Sequence, residues 1–490
     1  MDFLIKPWDH QLKGIARAEE IPDLALLYEM GTGKTGTMVN IIRRHFAKAA
    51  RVKRVLILGP VITIKNWQRE FKMHSKIKES DVIALSGPGK RRLKHFQDRA
   101  TDKATGTLTR GGIFLTNYEA MEMVDLFEQI YLWKPEIIVC DESQRMKDPK
   151  SKRARKVITL ADRATNRYIL TGTLILNSAM DVFNQFRILD GGKSFGKSFY
   201  DFRARYFDDE NKGMPSHVHF PKWSPRSETY DDLNSKIYSK ALRVLKKDCL
   251  DLPPLVRETV HVELGKEQER IYNEMKREYI AWVKESEHSP EPKAVVAQMA
   301  LTKALRLQQI ASGFAKTEDG QEIPIKDNPR LKALKELLQD LTPAHKVVVW
   351  ATFKENYRQI AAVCEDLKLE YAELHGGVST IEKNSAIDRF KTDDSCRVII
   401  ANAAAGGIGI SLTAASYSVF FSRNFSLEQD LQAESRNHRG GSEIHSKITR
   451  IDIVASDTID EIILEALAQK KAIGAHVIDG IIQQWTQEAS

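Results

Sequence analysis

Short apolar runs rich in β-branched residues recur along the chain, each closed by polar or turn-forming positions. A first set comprises Leu24–Leu27, Arg54–Leu58, Ile113–Thr116, Ile137–Cys140 and Tyr168–Leu170. A second comprises Lys346–Trp350, Arg397–Ile400, Val419–Ser422 and Ile448–Val454. Such runs, alternating with amphipathic stretches, predict parallel strands buried on both faces and crossed by helices. Between the sets, from about Asp190 to Asn328, no such run is expected, and apolar spacing turns helical over Gln268–Val283 and Val295–Ile310. Two polar stretches, Asp208–Arg226 and Glu285–Lys293, interrupt that segment and read as loops. The pattern predicts an α/β protein of two parallel-sheet lobes with largely helical material between them. Residues 1–250 form the first lobe, 251–329 a connector and 330–490 the second lobe, with the hand-over near the stiff Asp251–Leu255 (DLPPL).

Composition adds little to this and removes several classes. The 490 residues are 42% hydrophobic and 29% charged, enough for each lobe to bury its own core. A net charge of +8 suits a polyanionic partner, although an excess of this size discriminates weakly. Cys140, Cys249, Cys364 and Cys396 form no Cys-x-x-Cys pair, so no zinc site is expected and a reducing compartment is. The start, MDFLIKPWDHQ, lacks the basic and apolar regions of a secretory signal, and no apolar run is long enough to cross a membrane. The expected location is the cytoplasm or the nucleoid, without membrane attachment.

Three stretches carry chemistry. Met30–Thr35 reads MGTGKT after a predicted strand and before the amphipathic Met38–Phe46. A strand, a glycine turn and a helix start are what a phosphate cradle requires. Gly31 and Gly33, with Met30 and Thr32 between and beside them, would turn backbone N–H groups toward the phosphates of ATP. Lys34 would bridge the β- and γ-phosphates and Thr35 would ligate Mg²⁺. A bare glycine turn is the competing reading, and Tyr28 stands where the strict loop has glycine. Asp141 and Glu142 follow the strand Ile137–Cys140, at the strand end where ligands bind in α/β sheets. Asp141 would hold Mg²⁺ and Glu142 would orient and deprotonate the attacking water; a helix cap is the alternative. In the second lobe, Arg436 and Arg439 lie three residues apart, which predicts one shared helical face. They could reach a γ-phosphate as arginine fingers or form an ordinary solvated face.

The order of these motifs resembles superfamily 2 helicases and, within them, the SWI/SNF-type remodelling ATPases, in a minimal bacterial or viral form. Pro7–Gly14 (PWDHQLKG) resembles the family's opening motif, with Gln11 as adenine reader. Gly59–Phe71 (GPVITIKNWQREF) and Leu115–Glu119 (LTNYE) are similar to its nucleic-acid-contacting motifs, and Leu170–Leu176 (LTGTLIL) to its Thr-Gly-Thr coupling motif. Asp141–Lys152 (DESQRMKDPKSK) resembles the Asp-Glu-x-His box and its basic tail, with Gln144 in the histidine position. The Leu252–Tyr272 connector, Ala403–Ala414 (which contains Gly407, expected beside the nucleotide) and Gln429–Gly441 are similar to the SWI/SNF branch.

The resemblance implies two RecA-like lobes with helical protrusions, one over about 190–250 and one within 251–329. It implies an ATP- and Mg²⁺-dependent, DNA-stimulated ATPase that translocates along double-stranded DNA as a monomer with little sequence specificity. A protein partner or nucleoprotein target is allowed. Nucleic-acid contacts carried over by motif position are Lys65, Asn66, Trp67, Asn117, Tyr118, His375, Gly376, Asn402 and Ala403, with simple packing an equal alternative for Trp67. A strand-separating helicase, the motor subunit of a defence or repair complex, and an inactive scaffold are the competing functions. Gln144 bears on the coupling of nucleotide to DNA, where an amide can still donate a hydrogen bond.

Overall fold

A computed structural model describes residues 3–61, 63–175, 178–213, 223–249, 251–286, 293–317, 319–404 and 410–479. The chain divides into two units, one of the described residues up to Cys249 together with those from Lys470, the other Asp251–Gln469.

The first unit is built on a parallel sheet of seven strands. These are β1 (Asp23–Tyr28), β2 (Arg54–Gly59), β3 (Val82–Ala84), β4 (Gly112–Asn117), β5 (Ile137–Asp141) and β6 (Asn166–Leu170), then, after a small hairpin of β7 (Phe207–Asp209) and β8 (Trp223–Pro225), β9 (Ala241–Val244). Their spatial order is β3-β4-β2-β5-β6-β1-β9. Successive residues of β1 explain the unbroken apolar runs. Leu24, Leu26 and Tyr28 pack on one face with Met38, Val39 and Ile42 of the helix Lys34–Ala49. Ala25 and Leu27 belong to the opposite face, in the cluster that holds Phe186 and Leu189. A strand covered on both sides gains from being apolar at every position.

The second unit holds a six-stranded parallel sheet in the order β10-β17-β16-β13-β15-β14. Its strands are β10 (Leu255–Val262), β13 (Val347–Trp350), β14 (Glu370–Leu374), β15 (Cys396–Ala401), β16 (Tyr417–Phe420) and β17 (Ile448–Ala455); β11 (Phe314–Lys316) and β12 (Glu322–Pro324) pair apart from it. Buried Arg330 ties the helix Pro329–Leu341 to this sheet, donating to the carbonyls of Phe421 and Ile453 and to Asp460.

Six strands, β7 to β12, correct the expectation of a strand-free middle segment, and two of them join the main sheets. Ala241–Val244 pairs with β1 on the far side from β6, Ala25 opposite Ala241 and Tyr28 opposite Val244. Leu255–Val262 runs along β17 for eight residue pairs, Leu255 with Ile448 through Val262 with Ala455. As an edge strand it leaves Arg257, Glu258 and Thr259 exposed, so its alternating sequence lacks the apolar signature of the buried strands. Helices Lys266–Ser286 and Lys293–Ala311 follow, and Asp208–Arg226 and Glu285–Lys293 lie partly outside the described residues. Among the described residues no helix is long and apolar enough to cross a membrane.

Candidate active site

The glycine-rich turn follows β1 and opens the helix Lys34–Ala49. Gly31 and Gly33 take φ of 89° and 81°, a backbone region that a side chain would strain. At Gly33 a Cβ would also stand 2.2 Å from Gln11 Nε2. Gln11 is nearly buried and its amide is engaged at both ends. Oε1 accepts from the Trp8 N–H at 2.8 Å and Nε2 donates to Gly33 O at 3.1 Å. His10 Nε2 lies 2.8 Å from Thr32 O. The opening motif therefore braces the phosphate loop from behind. Tyr28 completes that brace: its hydroxyl donates to His10 O at 3.0 Å, and a Cβ on Gly14 would fall 2.3 Å from it. Complete burial pushes the Tyr28 phenol far up, so it stays a donor. Lys34 Nζ donates to Tyr28 O at 2.8 Å.

Asp141 ends β5 and is 5% exposed, with Trp67 Nε1 donating to its Oδ2 at 2.9 Å. Tyr118 donates its hydroxyl to the Asp141 carbonyl at 2.7 Å. Burial first, then the charge of Glu142, push the Asp141 carboxyl up, against the opposing pull of Trp67 and Lys34. A cation beside Asp141 would relieve that cost. Gly59, at the end of β2, keeps this corner open, since a Cβ there would meet Thr63 Oγ1 at 2.8 Å and Asp141 Cβ at 3.2 Å.

Two buried amides join this box to the Thr-Gly-Thr turn after β6. Gln144 Nε2 donates to Glu142 Oε2 at 2.7 Å, and the Thr171 hydroxyl lies 2.7 Å from Gln144 Oε1. Beside it, Ser143 Oγ donates to Gln185 Oε1 at 2.7 Å, and Gln185 Nε2 donates to Leu174 O at 2.8 Å. Glu142 holds a left-handed φ of 51°, strain that the surrounding bonds sustain. Gly172, between the two threonines, would place a Cβ 3.4 Å from Tyr28 O and 3.6 Å from Lys34 Nζ. The phosphate loop, the acidic box and the Thr-Gly-Thr turn thus meet at the carboxyl ends of β1, β5 and β6. Gln185 and Ser143 were not expected from sequence. For Gln185 the signal was the polar Asn184–Gln185 pair set between Phe183 and Phe186 in the helix Asp181–Asp190.

Several expected surface contacts lie elsewhere. Trp67 and Tyr118 are each 1% exposed and serve Asp141, so neither ring is presented to a ligand at the surface. Asn117 is nearly buried, its amide donating to Glu119 Oε2 at 2.6 Å and accepting from Arg92. Lys65 is exposed, and the half-buried Asn66 accepts from Arg69 Nη2 at 2.8 Å. In the second unit, His375 stacks on Tyr357 with ring centroids 4.2 Å apart, and burial lowers its affinity for a proton. Gly376 is exposed, and Asn402 Nδ2 donates to Ala351 O at 3.1 Å and Tyr357 Oη at 2.7 Å. Ala403 lines a small pocket at the carboxyl ends of β13, β15 and β16, with Thr352 and Arg423.

The arginine pair departs from its expected setting. The helix Leu427–Glu434 ends before either residue, and both sit on the following turns. The Leu412 N–H takes the Arg436 carbonyl at 2.9 Å, which draws the backbone out of helical geometry. Arg436 is 3% exposed, and Arg439 Nη1 donates to Ile410 O at 3.2 Å. Gly407 lies outside the described residues.

The SNF2-related domain model matches residues 15–312 and the helicase conserved C-terminal domain model residues 329–441. The CHD3-type chromatin-remodeling factor PICKLE of Arabidopsis thaliana is 23% identical over 92% of this chain and 32% of its own. Protein p41 of Acyrthosiphon pisum secondary endosymbiont phage 1 is 24% identical over 96% of this chain and 97% of its own. An uncharacterized ATP-dependent helicase of Mycoplasma genitalium is 24% identical over 91% of this chain and 39% of its own. The chain thus spans about a third of the plant remodelling factor's length. Among solved structures, the SWI2/SNF2 ATPase core of Sulfolobus solfataricus in complex with dsDNA is 22% identical over the whole chain, with a TM-score of 0.43. Two consecutive domain matches, the first covering more than half of the sequence and containing the phosphate loop, the acidic box and the Thr-Gly-Thr turn, place this chain in the SNF2-related family of helicase-like ATPases.

Proposed function

We propose that this chain hydrolyses ATP to translocate along double-stranded DNA as a monomer, with little sequence specificity, displacing or remodelling nucleoprotein in its path. The observation that carries the reading is the convergence of Lys34, Asp141, Glu142 and Thr171 at the carboxyl ends of β1, β5 and β6, with Glu142 and Thr171 joined by the Gln144 amide. The chromatin-remodelling and helicase names of its relatives support it.

The residues fit a Mg²⁺-nucleotide. Two left-handed glycines and a helix N-terminus direct backbone N–H groups at an anion. Thr35 and Asp141 supply the oxygen ligands that Mg²⁺ favours. When bound there, Mg²⁺ would neutralise phosphate charge as the terminal bond breaks. Lys34 exchanges its contact with the Tyr28 carbonyl for the phosphates. Glu142 accepts the proton of the attacking water, its carboxylate aimed by Gln144. Thr171, bonded to the same amide, links this carboxylate to the Thr-Gly-Thr turn. By the family resemblance, Arg436 and Arg439 would supply cations to the developing charge, and Gln11 would reach the nucleotide by exchanging one of its present contacts. Lys65, Gly376, Asn402 and Ala403 contribute to the DNA grip, which salt should weaken strongly.

The test is ATP hydrolysis without nucleic acid and with single-stranded DNA, duplex DNA or duplex RNA, beside Lys34→Ala. Stimulation by duplex DNA that Lys34→Ala abolishes is the expected result. Stimulation only by single strands or RNA would overturn the duplex-DNA reading, and unwinding of a forked duplex would replace translocation by strand separation.

A further inference from the structure

Glu434 is the last residue of the helix Leu427–Glu434, the end at which the helix dipole opposes a carboxylate. No Lys or Arg stands in that last turn to offset it. The compensation comes from the sheet of the second unit. Arg257, on the edge strand β10, donates from Nη2 to Glu434 Oε1 at 2.9 Å and to Oε2 at 2.8 Å, and from Nε to Oε2 at 3.2 Å. Arg450, on β17, donates from Nη1 to the same Oε2 at 3.1 Å. Arg257 and Arg450 stand opposite each other in the β10–β17 register, so both side chains leave the sheet on one face.

The pairing extends further into the unit. Arg450 grips Asp430, one turn earlier on the same helix, through Nη1 at 2.9 Å and Nη2 at 2.8 Å, and reaches Asp452 through Nε at 3.1 Å. Asp452 also receives Arg423. Three guanidiniums and three carboxylates thus join β10 and β17 to the helix. The members differ in burial: Arg450 is 6% exposed and Arg423 7%, but Arg257 is 46% exposed. Removing a buried member strands its partners' charges, whereas Arg257 can be replaced with water filling its place.

The helix end held in this way leads into the arginine turn. Arg436 follows Glu434 by two residues, and its N–H donates to Ala433 O at 3.1 Å. The start of β10 touches the turn at a second point, where Nε2 of His438, between the two arginines, lies 3.0 Å from Pro253 O. The Ile448 N–H donates to Pro254 O at 3.0 Å and fixes that corner. Two consecutive prolines restrict the backbone there, so the anchor is stiff.

We infer that Arg257 is a positioning residue for ATP hydrolysis: through Glu434 it fixes where the helix ends, and it thereby aims Arg436 and Arg439. The inference rests on the proposed reading of those two arginines as cations for the developing charge. A forked guanidinium on one carboxylate sets direction as well as distance. Without Arg257, Glu434 keeps a single bond from Arg450, and the helix end is free to fray. An ordinary exposed ion pair, by contrast, contributes little and would leave the kinetics untouched.

The test is steady-state ATP hydrolysis by the full chain, with and without duplex DNA, and urea unfolding alongside. The variants are Arg257→Gln, Arg257→Lys, Glu258→Gln, Arg439→Gln and the double variant Arg257→Gln/Arg439→Gln. Misplacing a catalytic group can cost up to about 100-fold, so Arg257→Gln should lower kcat about 10-fold with KM for ATP unchanged. Arg257→Lys keeps the charge but not the fork and should recover part of the rate. Glu258→Gln, on the opposite face of the strand, should keep wild-type kinetics. The urea midpoint of Arg257→Gln should stay close to that of the wild type. In the Arg439→Gln background the same substitution should have little further effect, because its influence passes through the turn. Wild-type kcat in Arg257→Gln, an equal fold loss in both backgrounds, or a loss that tracks a lowered urea midpoint would overturn the positioning role while leaving the arginine reading intact. Wild-type hydrolysis in Arg439→Gln would overturn the arginine reading and this inference with it.

Discussion

Gln144 is the position at which the acidic box departs from the usual histidine, and its side chain allows a quantitative forecast. Its amide donates to Glu142 and faces the Thr171 hydroxyl, both at 2.7 Å, and it is 2% exposed. Gln144→Leu keeps the volume and removes both bonds. The Glu142 carboxylate loses a charge-assisted hydrogen bond in a buried setting, a loss of about 1.5–3 kcal/mol. Thr171 retains the Thr173 N–H, received at 3.0 Å, so its share of the loss is smaller. Part of the loss falls on folding and part on the orientation of Glu142. If about 2 kcal/mol falls on catalysis, turnover drops roughly 30-fold. Gln144→His keeps one donor and one acceptor and should recover much of the rate. The assay is steady-state ATP hydrolysis with and without duplex DNA, with urea unfolding to separate stability from turnover. Gln144→Leu should lower the rate and also shrink the ratio by which DNA raises it, because the Thr171 link is lost with the Glu142 bond. Wild-type turnover and a wild-type DNA ratio in Gln144→Leu would refute the role of this amide in coupling.

Other expected outcomes follow from the same geometry. Trp67→Phe deletes the indole donor to Asp141 while retaining an aromatic core residue; it should cost about 1–3 kcal/mol of stability in urea titration and raise the Mg²⁺ concentration needed for half-maximal hydrolysis. Gly14→Ala drives a Cβ onto the Tyr28 hydroxyl and should destabilise the first unit by about 1–3 kcal/mol, a loss that Tyr28→Phe in the same chain should partly relieve in thermal melts. Gln185→Leu breaks the Ser143–Leu174 bridge and should lower turnover while KM for ATP holds, measured by steady-state kinetics. His45 is held down to about 4 by burial, with Lys53 and Lys48 adding to the effect. Its folded form takes up fewer protons than the unfolded chain, whose histidines titrate near 6.5. Stability should therefore fall as pH drops from about 6.5 toward 4, and His45→Gln should flatten that slope in pH-dependent unfolding.

What the sequence disclosed depended on how local each signal was. The central strands were legible because both of their faces are buried, which leaves continuous apolar runs such as Val347–Trp350. Leu255–Val262 was not, because an edge strand with exposed Arg257 and Glu258 can look like a linker. The phosphate loop and acidic box were legible as motifs since their chemistry fixes residue types at fixed spacing. Gln185 escaped because its role arises only when a helix from a distant segment packs against Ser143. The arginine pair was misplaced for a related reason: three-residue spacing suits a helix, and only the Leu412–Arg436 backbone bond shows that the helix has already ended. Trp67 reads equally well as a surface ring or a buried one until Asp141 is found beside it.

The neighbour of β1 on the side away from β6 has a mechanical meaning. β9 lies against the strand that carries the phosphate loop, the Glu29 N–H donates to Val244 O at 2.9 Å, and the Glu29 side chain accepts from the Lys246 N–H at 2.6 Å. Five residues beyond Lys246 the chain enters the second unit at Asp251. Tension applied through that segment would be borne by the four residue pairs between β9 and β1 and by the clasp on Glu29, next to the glycine-rich turn. A load on Lys246 that peels β9 away would free the Glu29 side chain and loosen the glycine-rich turn that follows β1.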